Sequence, residues 1–226
     1  MRLRQLTKYI IFPIALWILA GCARFPADTH ASVVRSMSFQ ITYDGPVDEN
    51  AYYFTVIDIH GAGTGPLPVF PNPEVPAGND WVTGSATHFV MYHQRQYTLY
   101  RIDHLNPLQY APIGVPIRSS LPDPGSSTLN FTIDLDAIGA TDPTVDINII
   151  SLNQLSPDGR LLDALGPLGG DFLNLDIRSN RTFRNSELSR PEGPDDVLNQ
   201  NGISQLSTGP TKSIDILDWT ITTSVY

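Results

Sequence analysis

The stretch Thr128-Leu129-Asn130-Phe131-Thr132-Ile133-Asp134-Leu135 decides the fold class of this chain. Its apolar residues occupy every second position, and the residues between them are polar. Because successive side chains of an extended chain point to opposite faces, this alternation predicts a β-strand with one face in a core. We expect Phe131 to be buried at the centre of that face.

Similar stretches lie on both sides of this strand. Residues 36–43 alternate in the same way, and residues 51–59 are apolar on both faces, which is typical of a central strand. Residues 145–152 change phase at Ile150, and the last apolar stretch changes phase at Leu217-Asp218, so we predict a β-bulge in each. Further strands are predicted at 88–92, 97–102 and 172–177. About eight strands joined by turns predict an all-β chain, folded as an antiparallel β-sandwich of jelly-roll type.

Three segments predict irregular structure instead. Residues 61–80, 105–125 and 186–209 are rich in glycine, proline or polar residues, which interrupt strand ladders. Single helical turns are predicted at 161–165 and 196–199. The segment 61–80 is long for a loop in a compact domain, so it is either a functional loop or a crossover between sheets.

The amino-terminal stretch Leu19-Ala20-Gly21-Cys22 follows an apolar run that begins after a basic start with three cationic residues. A charged start, a short apolar run and small residues before a cleavage point are typical of a secretory signal. The run is about 12 residues long, short of the ~20 that a spanning helix needs. The stretch resembles the lipobox of bacterial lipoproteins.

This resemblance implies that Leu19, Ala20 and Gly21 are recognised by a signal peptidase and that Cys22 receives fatty acyl chains. Residues 1–21 would then be a signal peptide, 22–35 a lipidated tether and 36–226 the β-sandwich domain. The resemblance also implies a location in the bacterial cell envelope, held to a membrane by the lipid. Ala23 lacks the charge of an inner-membrane retention signal, which favours the outer membrane in a Gram-negative cell.

Composition limits the partners and the chemistry. Three of the 14 basic residues and none of the 23 acidic ones lie in 1–21, so the remainder carries a formal charge of −12. An acidic surface repels nucleic acid, which we exclude as a partner. Cys22 is the only cysteine, so the domain has no disulfide and no cysteine-based catalysis or metal site.

Motifs for catalysis are missing from the sequence. It contains no Gly-x-Ser-x-Gly, no His-Glu-x-x-His and no glycine-rich nucleotide fingerprint. His88 and His93 are five residues apart, which places them on opposite faces of a strand. We therefore predict no catalytic residues, no metal ligands and no cofactor, and expect a protein that is not an enzyme. Asp134 and Asp136 would share a face if their strand continued, as a glycosidase pair or as oxygen ligands of a structural calcium.

Aromatic residues give the best indication of binding. Tyr92, Tyr97 and Tyr100 lie around one predicted hairpin, and Trp81 closes the long segment before it. Flat rings with a polar tip can stack on sugars or peptides, so these four residues are candidates for a ligand-binding surface. The alternative, which residue burial favours, is that they fill the core.

The strands at 129–135 and 145–152, with the closing strand that contains Asp218-Trp219, resemble later strands of DOMON and family-9 carbohydrate-binding sandwiches. That resemblance implies a sandwich fold and domains that bind sugars or haem. The leading hypothesis is a non-catalytic envelope lipoprotein that binds a ligand or an envelope protein, with carbohydrate as the first candidate. The alternatives are a structural lipoprotein without a small-molecule site and a glycosidase-like enzyme that uses carboxylates.

Overall fold

Nearly all of the regular secondary structure in the described part of the chain is β-strand. The computed structural model describes residues 34–61, 65–69, 81–105, 108–156, 158–166, 169–194, 196–199 and 202–226. The strands are β1 Arg35–Tyr43, β2 Tyr52–Asp58, β3 Pro66–Pro68, β4 Val82–Gly84, β5 His88–His93, β6 Gln96–Leu105, β7 Leu108–Gly114, β8 Arg118–Ser120, β9 Thr128–Asp134, β10 Thr144–Leu152, β11 Leu161–Ala164, β12 Leu173–Asp176, β13 Arg181–Arg184, β14 Asp196–Asn199, β15 Ser204–Leu206 and β16 Ile216–Val225. Short 3-10 turns lie at Asn185–Glu187 and Gly209–Ser213.

A five-stranded antiparallel sheet contains the strand that decided the fold class. Its order is β13, β16, β1, β9, β8. β9 alternates between half-buried and buried side chains along its whole length, as its sequence predicts. Phe131 lies opposite Phe39 of β1, and the two rings stack with centroids 4.8 Å apart. The inward face of this sheet is thus continuous across its central strands.

The predicted bulge in the last strand is confirmed. Thr42 pairs with Asp218, but the next residue, Tyr43, pairs with Ile216, so Leu217 has no opposite partner. The extra residue lets Ile216 and Trp219 both face the core, where each is nearly fully buried.

A nine-stranded antiparallel sheet forms the second layer. Its main order is β15, β14, β11, β10, β2, β5, β6, β7, and β12 pairs with the start of β10. The bulge predicted at Ile150 is wrong, because β10 pairs with β2 in an unbroken register from Asp146 to Leu152. β10 is buried on both faces, so the change of phase reflects two apolar faces and no extra residue.

Two apolar cores explain why the larger sheet is apolar on both sides. One core fills the space between the two sheets and contains Phe39, Phe131, Ile147 and Trp219. The other covers the outer face of the nine-stranded sheet. Together they make the chain an antiparallel β-sandwich with an additional layer, and the predicted fold class is confirmed.

The additional layer comes from the segment between β2 and β5. β3 and β4 pair as a two-stranded sheet, and Trp81 and Val82 are buried in the outer core. The buried amide of Asn148 donates hydrogen bonds to the carbonyls of Pro66 and Asp171, at 2.8 and 3.0 Å. That amide therefore fixes the returning chain to the sheet.

Several segments predicted as loops or helical turns are strands. β7 and β8 lie within 105–125, and β14 and β15 lie within 186–209. The helical turns predicted at 161–165 and 196–199 are wrong, since these residues form β11 and β14, which pair with each other. Edge strands tolerate proline and polar residues, because one side of such a strand makes no ladder.

The described strands belong to one compact unit that spans Val33–Tyr226. Within the described ranges, no helix has the length and apolar character needed to cross a membrane. The predicted signal peptide, with Leu19, Ala20 and Gly21, and the predicted lipidation site Cys22 lie outside the described residues, as does nearly all of the predicted tether.

Candidate ligand-binding face

Two of the four candidate aromatic residues lie inside the sandwich. Tyr92 and Tyr97 are 2 % and 4 % exposed, and their ring centroids are 4.9 Å apart in the core between the sheets. The Tyr97 hydroxyl donates a hydrogen bond to the carbonyl of Ser120, and burial raises the pKa of both phenols. Neither ring is available to a ligand, so their assignment to a binding surface is corrected to core packing.

The other two residues lie on the opposite face of the same sheet. Trp81 is 2 % exposed and stacks on Phe54 with centroids 3.8 Å apart, so it is also a core residue. Tyr100 is half-buried on the outer face, where its ring stacks on Phe89 at 4.7 Å. The four residues do not form one surface, because alternation along β5 and β6 sends Tyr92 and Tyr97 inward and Tyr100 outward.

Tyr100 belongs to a different group of side chains, which we call the outer aromatic face. These residues are half-buried and project from β2, β5, β6 and β7 on the outer side of the nine-stranded sheet. They are Tyr52, Met91, His93, Tyr100 and Tyr110. The cross-strand register brings them together, since Tyr52 lies beside His93 and Phe54 lies opposite Met91.

The outer aromatic face has two pairs of rings with a thioether between them. At one end the rings of Tyr52 and His93 stack with centroids 3.9 Å apart. At the other end Tyr100 and Tyr110 meet edge to face at 5.2 Å. His93 and Phe89, which supports Tyr100, are four residues apart on β5, so the two pairs are separated by ~13 Å along the strand.

The orientation of His93 follows from its hydrogen bond. Its Nδ1 lies 3.0 Å from the carbonyl oxygen of Ala51. A carbonyl oxygen can only accept, so Nδ1 carries the hydrogen, and in the neutral ring Nε2 is left as an acceptor. The stacked Tyr52 and His93 therefore form a flat surface with a polar edge.

Polar side chains border this surface. Gln96 lies opposite His93 and is exposed, and Thr98 lies opposite Met91. Gln94, in the turn before them, is also exposed. These groups offer hydrogen-bond donors and acceptors beside the rings. Burial raises the pKa of Tyr110, so its phenol stays neutral.

A cleft separate from the outer aromatic face lies next to the start of β12. This cleft of about 110 Å³ is lined by Asp171, Phe172, Arg190 and Glu192, among others. Glu192 accepts a hydrogen bond of 2.7 Å from the backbone N–H of Gly166. Burial, with the charges of Asp171 and Asp215, raises the pKa of Glu192. The cleft therefore contains a carboxyl with a raised pKa, but the structure gives no group beside it an assigned catalytic role.

The carboxylates of Asp134 and Asp136, considered above as a catalytic or calcium-binding pair, accept hydrogen bonds from backbone N–H groups and from Arg35. β9 ends at Asp134, whose side chain accepts hydrogen bonds from the N–H groups of Asp136 and Ala137. Asp136 accepts from both the backbone N–H and the guanidinium of Arg35. Burial opposes ionisation of Asp136, but these hydrogen bonds outweigh it and lower its pKa. The two side chains are occupied as a turn cap and an ion pair.

The histidines and acidic residues form no metal centre in the part of the chain that is described. No group of three or more histidine, cysteine, aspartate or glutamate side chains is placed to hold an ion there. His88 is 5 % exposed, and burial, with the charges of Arg101 and His60, lowers its pKa to about 4. It is therefore a neutral core residue, on the other side of β5 from His93.

Sequence reasoning found Tyr100 but missed the other members of the outer aromatic face. The outward position of Tyr52 was readable from the two-faced apolar pattern of residues 51–59, and that of Met91 and His93 from the alternation of β5. Tyr110 carried no readable signal, because it lies in a segment whose prolines predicted a loop.

Comparisons with known proteins yield no relative. No protein-family model matches the chain, and neither the curated proteins nor the solved structures contain a significant match. The resemblances to bacterial lipoproteins and to carbohydrate-binding sandwiches therefore stay predictions, and the functional argument depends on the geometry.

Proposed function

We propose that this protein is a non-catalytic lipoprotein of the bacterial envelope whose sandwich binds carbohydrate through the outer aromatic face. The observation that carries the proposal is two pairs of half-buried rings, Tyr52 with His93 and Tyr100 with Tyr110, on one face of one sheet. Core packing alone accounts for the fully buried rings, but it does not require four polar-tipped rings to remain accessible.

Sugars match this face chemically. A pyranose ring has apolar C–H faces that pack on flat aromatic rings, and equatorial hydroxyls that need donors and acceptors at the edge. The exposed amide of Gln96, opposite His93, borders the rings and supplies both. A separation of ~13 Å between the two ring pairs suits an extended oligosaccharide better than a single sugar.

The charge of the domain narrows the class of carbohydrate. With a formal charge of −12 after residue 21, the domain repels polyanions at long range. Neutral or amino-substituted glycans are therefore the expected ligands. The ring faces also attract cationic groups, which favours amino sugars further.

The lipid anchor at Cys22 supports the same role. A protein that carries two or more acyl chains stays on the membrane, whereas a single chain holds it only marginally. A glycan-binding domain held in this way would link the membrane to a polymer of the envelope. A structural lipoprotein without a small-molecule site is the alternative, and binding assays separate the two.

The test compares the wild-type protein with Tyr100→Ala on a glycan array, followed by titration calorimetry with the best glycan. Removing a stacking ring should weaken binding by at least about tenfold, which corresponds to ~1.4 kcal/mol. Tyr226→Ala is the matched control, because Tyr226 is 79 % exposed and lies outside the outer aromatic face. Equal affinities for Tyr100→Ala and wild type, or no glycan bound by wild type, would contradict the proposal.

A further inference from the structure

A second surface feature lies on the edge of the sandwich where the chain passes from one sheet to the other. β7 is the last strand of the nine-stranded sheet and β8 is the last strand of the five-stranded sheet. Ile113, Val115, Ile117 and Leu121 are 44 %, 64 %, 53 % and 51 % exposed. We call residues 113–121 the apolar edge.

The apolar edge is unusual in its number of exposed apolar residues and in its charge. Single exposed apolar residues are normal, but four exposed apolar residues within nine consecutive positions are a local concentration, and such concentrations mark interaction sites. Arg118 is the only charged residue among 113–121. This stretch is thus apolar and weakly basic in a domain that is otherwise strongly acidic.

Proline argues against a β-strand as the occupant of this edge. Pro112, Pro116 and Pro122 lack the backbone N–H that an added strand would need as a donor. Natural sheets use proline at their edges to block pairing with other chains. An occupant that requires apolar contact and no backbone ladder fits better, and a lipid surface has that property.

The position of the apolar edge places it near the point where the tether enters the domain. Arg118 pairs with Thr132, which in turn pairs with Ser38 of β1, so Arg118 and Ser38 are two strand spacings, or ~9.5 Å, apart. Val34 precedes Ser38 by four residues. The 12 residues from Cys22 to Val34 reach at most ~40 Å when extended. A membrane that holds Cys22 is therefore within reach of the apolar edge.

We propose that the apolar edge lies against the membrane in which the lipid of Cys22 is inserted, an inference that rests on the proposed anchor. Ile113, Val115 and Ile117 would enter the interface between headgroups and acyl chains. Arg118 would lie against anionic headgroups, to which a basic side chain is attracted. The rest of the domain, being acidic, would be kept off the same surface.

This orientation also serves the proposed function. An edge that lies on the membrane sets both sheets upright, so the faces of the sheets point along the membrane plane. The outer aromatic face is then open to polymers that run beside the membrane. The edge contact would thus set the orientation of the domain on the membrane.

The experiment measures how deeply a tryptophan introduced at position 115 lies in the membrane of a vesicle. The mature lipidated protein with Val115→Trp, which begins at Cys22 and therefore lacks Trp17, is reconstituted into vesicles of phosphatidylethanolamine and phosphatidylglycerol. The vesicles contain brominated phospholipid, which quenches tryptophan near the acyl chains. Trp81 and Trp219 are each 2 % exposed and give a constant background. The matched control is Gln205→Trp, on β15 at the opposite edge of the nine-stranded sheet.

We expect the tryptophan at position 115 to be quenched at least twofold more strongly than the one at position 205. Position 205 is a stringent control, because Ile203 and Leu206 near it are also exposed apolar residues, at 59 % and 78 %, and could enter a membrane by themselves. Equal quenching, or stronger quenching at position 205, would overturn the inference while leaving the anchor intact. Protein that fails to float with the vesicles would overturn the anchor and the membrane contact together, without affecting glycan binding.

The remaining possible outcome of the test is that the apolar edge contacts a second copy of this chain. If quenching at position 115 is absent and the detergent-solubilised protein is a dimer that Val115→Asp dissociates, the apolar edge is an interface between copies. Sedimentation of the wild-type protein and Val115→Asp gives that answer, and it would replace the membrane contact. Val115 is exposed, so the aspartate should not affect folding.

Discussion

At the scale of single residues, burial decides which polar side chains can change the stability of this domain. Glu192 lies in the cleft near β12, and its pKa is raised by burial and then by the charges of Asp171 and Asp215. The folded protein therefore holds the proton of Glu192 at pH values where the unfolded chain has released it. Stability from this group falls as the pH rises through the range between the unfolded and the folded pKa.

This sign gives a prediction for Glu192→Gln. The amide can still accept the hydrogen bond from Gly166, but it carries no charge to desolvate. We expect the variant to unfold at a higher temperature than wild type near pH 7, and the difference to shrink as the pH falls below the usual pKa of glutamate. Thermal melts at several pH values measure this. A difference that is constant with pH would show that folding leaves the pKa of Glu192 unchanged, and one that grows in acid would show that the fold stabilises the carboxylate.

At the scale of elements, the alternation of β9 predicts opposite effects for neighbouring residues. Phe131 is 5 % exposed, stacks on Phe39 and contacts Tyr97 at 5.6 Å. Phe131→Ala should leave a cavity next to the small void that this ring already lines, at a cost of ~3–5 kcal/mol. Asn130→Ala, on the half-buried face, should cost less than ~1 kcal/mol. Chemical denaturation of both variants tests this, and a larger loss for Asn130→Ala would mean that the register is shifted by one residue.

The elements also show what the sequence could predict. Strands with one buried face, such as β1 and β9, were predicted because their alternation is strict. The bulge at Leu217 was predicted because only one face of β16 is apolar, so a change of phase there requires an extra residue. The same reasoning failed at Ile150, because β10 is buried on both faces and an apolar residue at any position is compatible with a regular strand.

The candidate site was harder to predict than the fold. Trp81 is a candidate for a ligand-binding surface because it is a flat ring that closes a long segment rich in proline, with core packing as the favoured alternative. In the structure its ring stacks on Phe54 in the outer core. Only long-range contacts, such as those of Asn148 with Pro66, determine where the segment lies. Local sequence pattern contains no information on such contacts, so the outer core and the outer aromatic face could not be separated in advance.

At the scale of the whole molecule, the stability of the domain comes from its two apolar cores. The only cysteine, Cys22, precedes the compact unit that begins at Val33, so no disulfide can contribute to its stability. About 200 residues is enough chain to bury a core that needs no covalent support. Folding and anchoring should therefore be separable functions of different parts of the chain.

Cys22→Ser tests this separation. In the proposed anchor the thiolate of Cys22 is the nucleophile that takes the lipid, and a hydroxyl is a much poorer nucleophile near neutral pH, so the variant should not be acylated. Metabolic labelling with a radioactive fatty acid should be lost in Cys22→Ser, while the far-ultraviolet circular dichroism spectrum and the melting temperature of the domain stay unchanged. The control is the double variant Cys22→Ser with Ser36→Cys. It places a thiol at a buried position of β1, where it should not restore labelling. Equal labelling of Cys22→Ser and wild type would contradict the lipid anchor, and loss of the β spectrum would show that the domain depends on it.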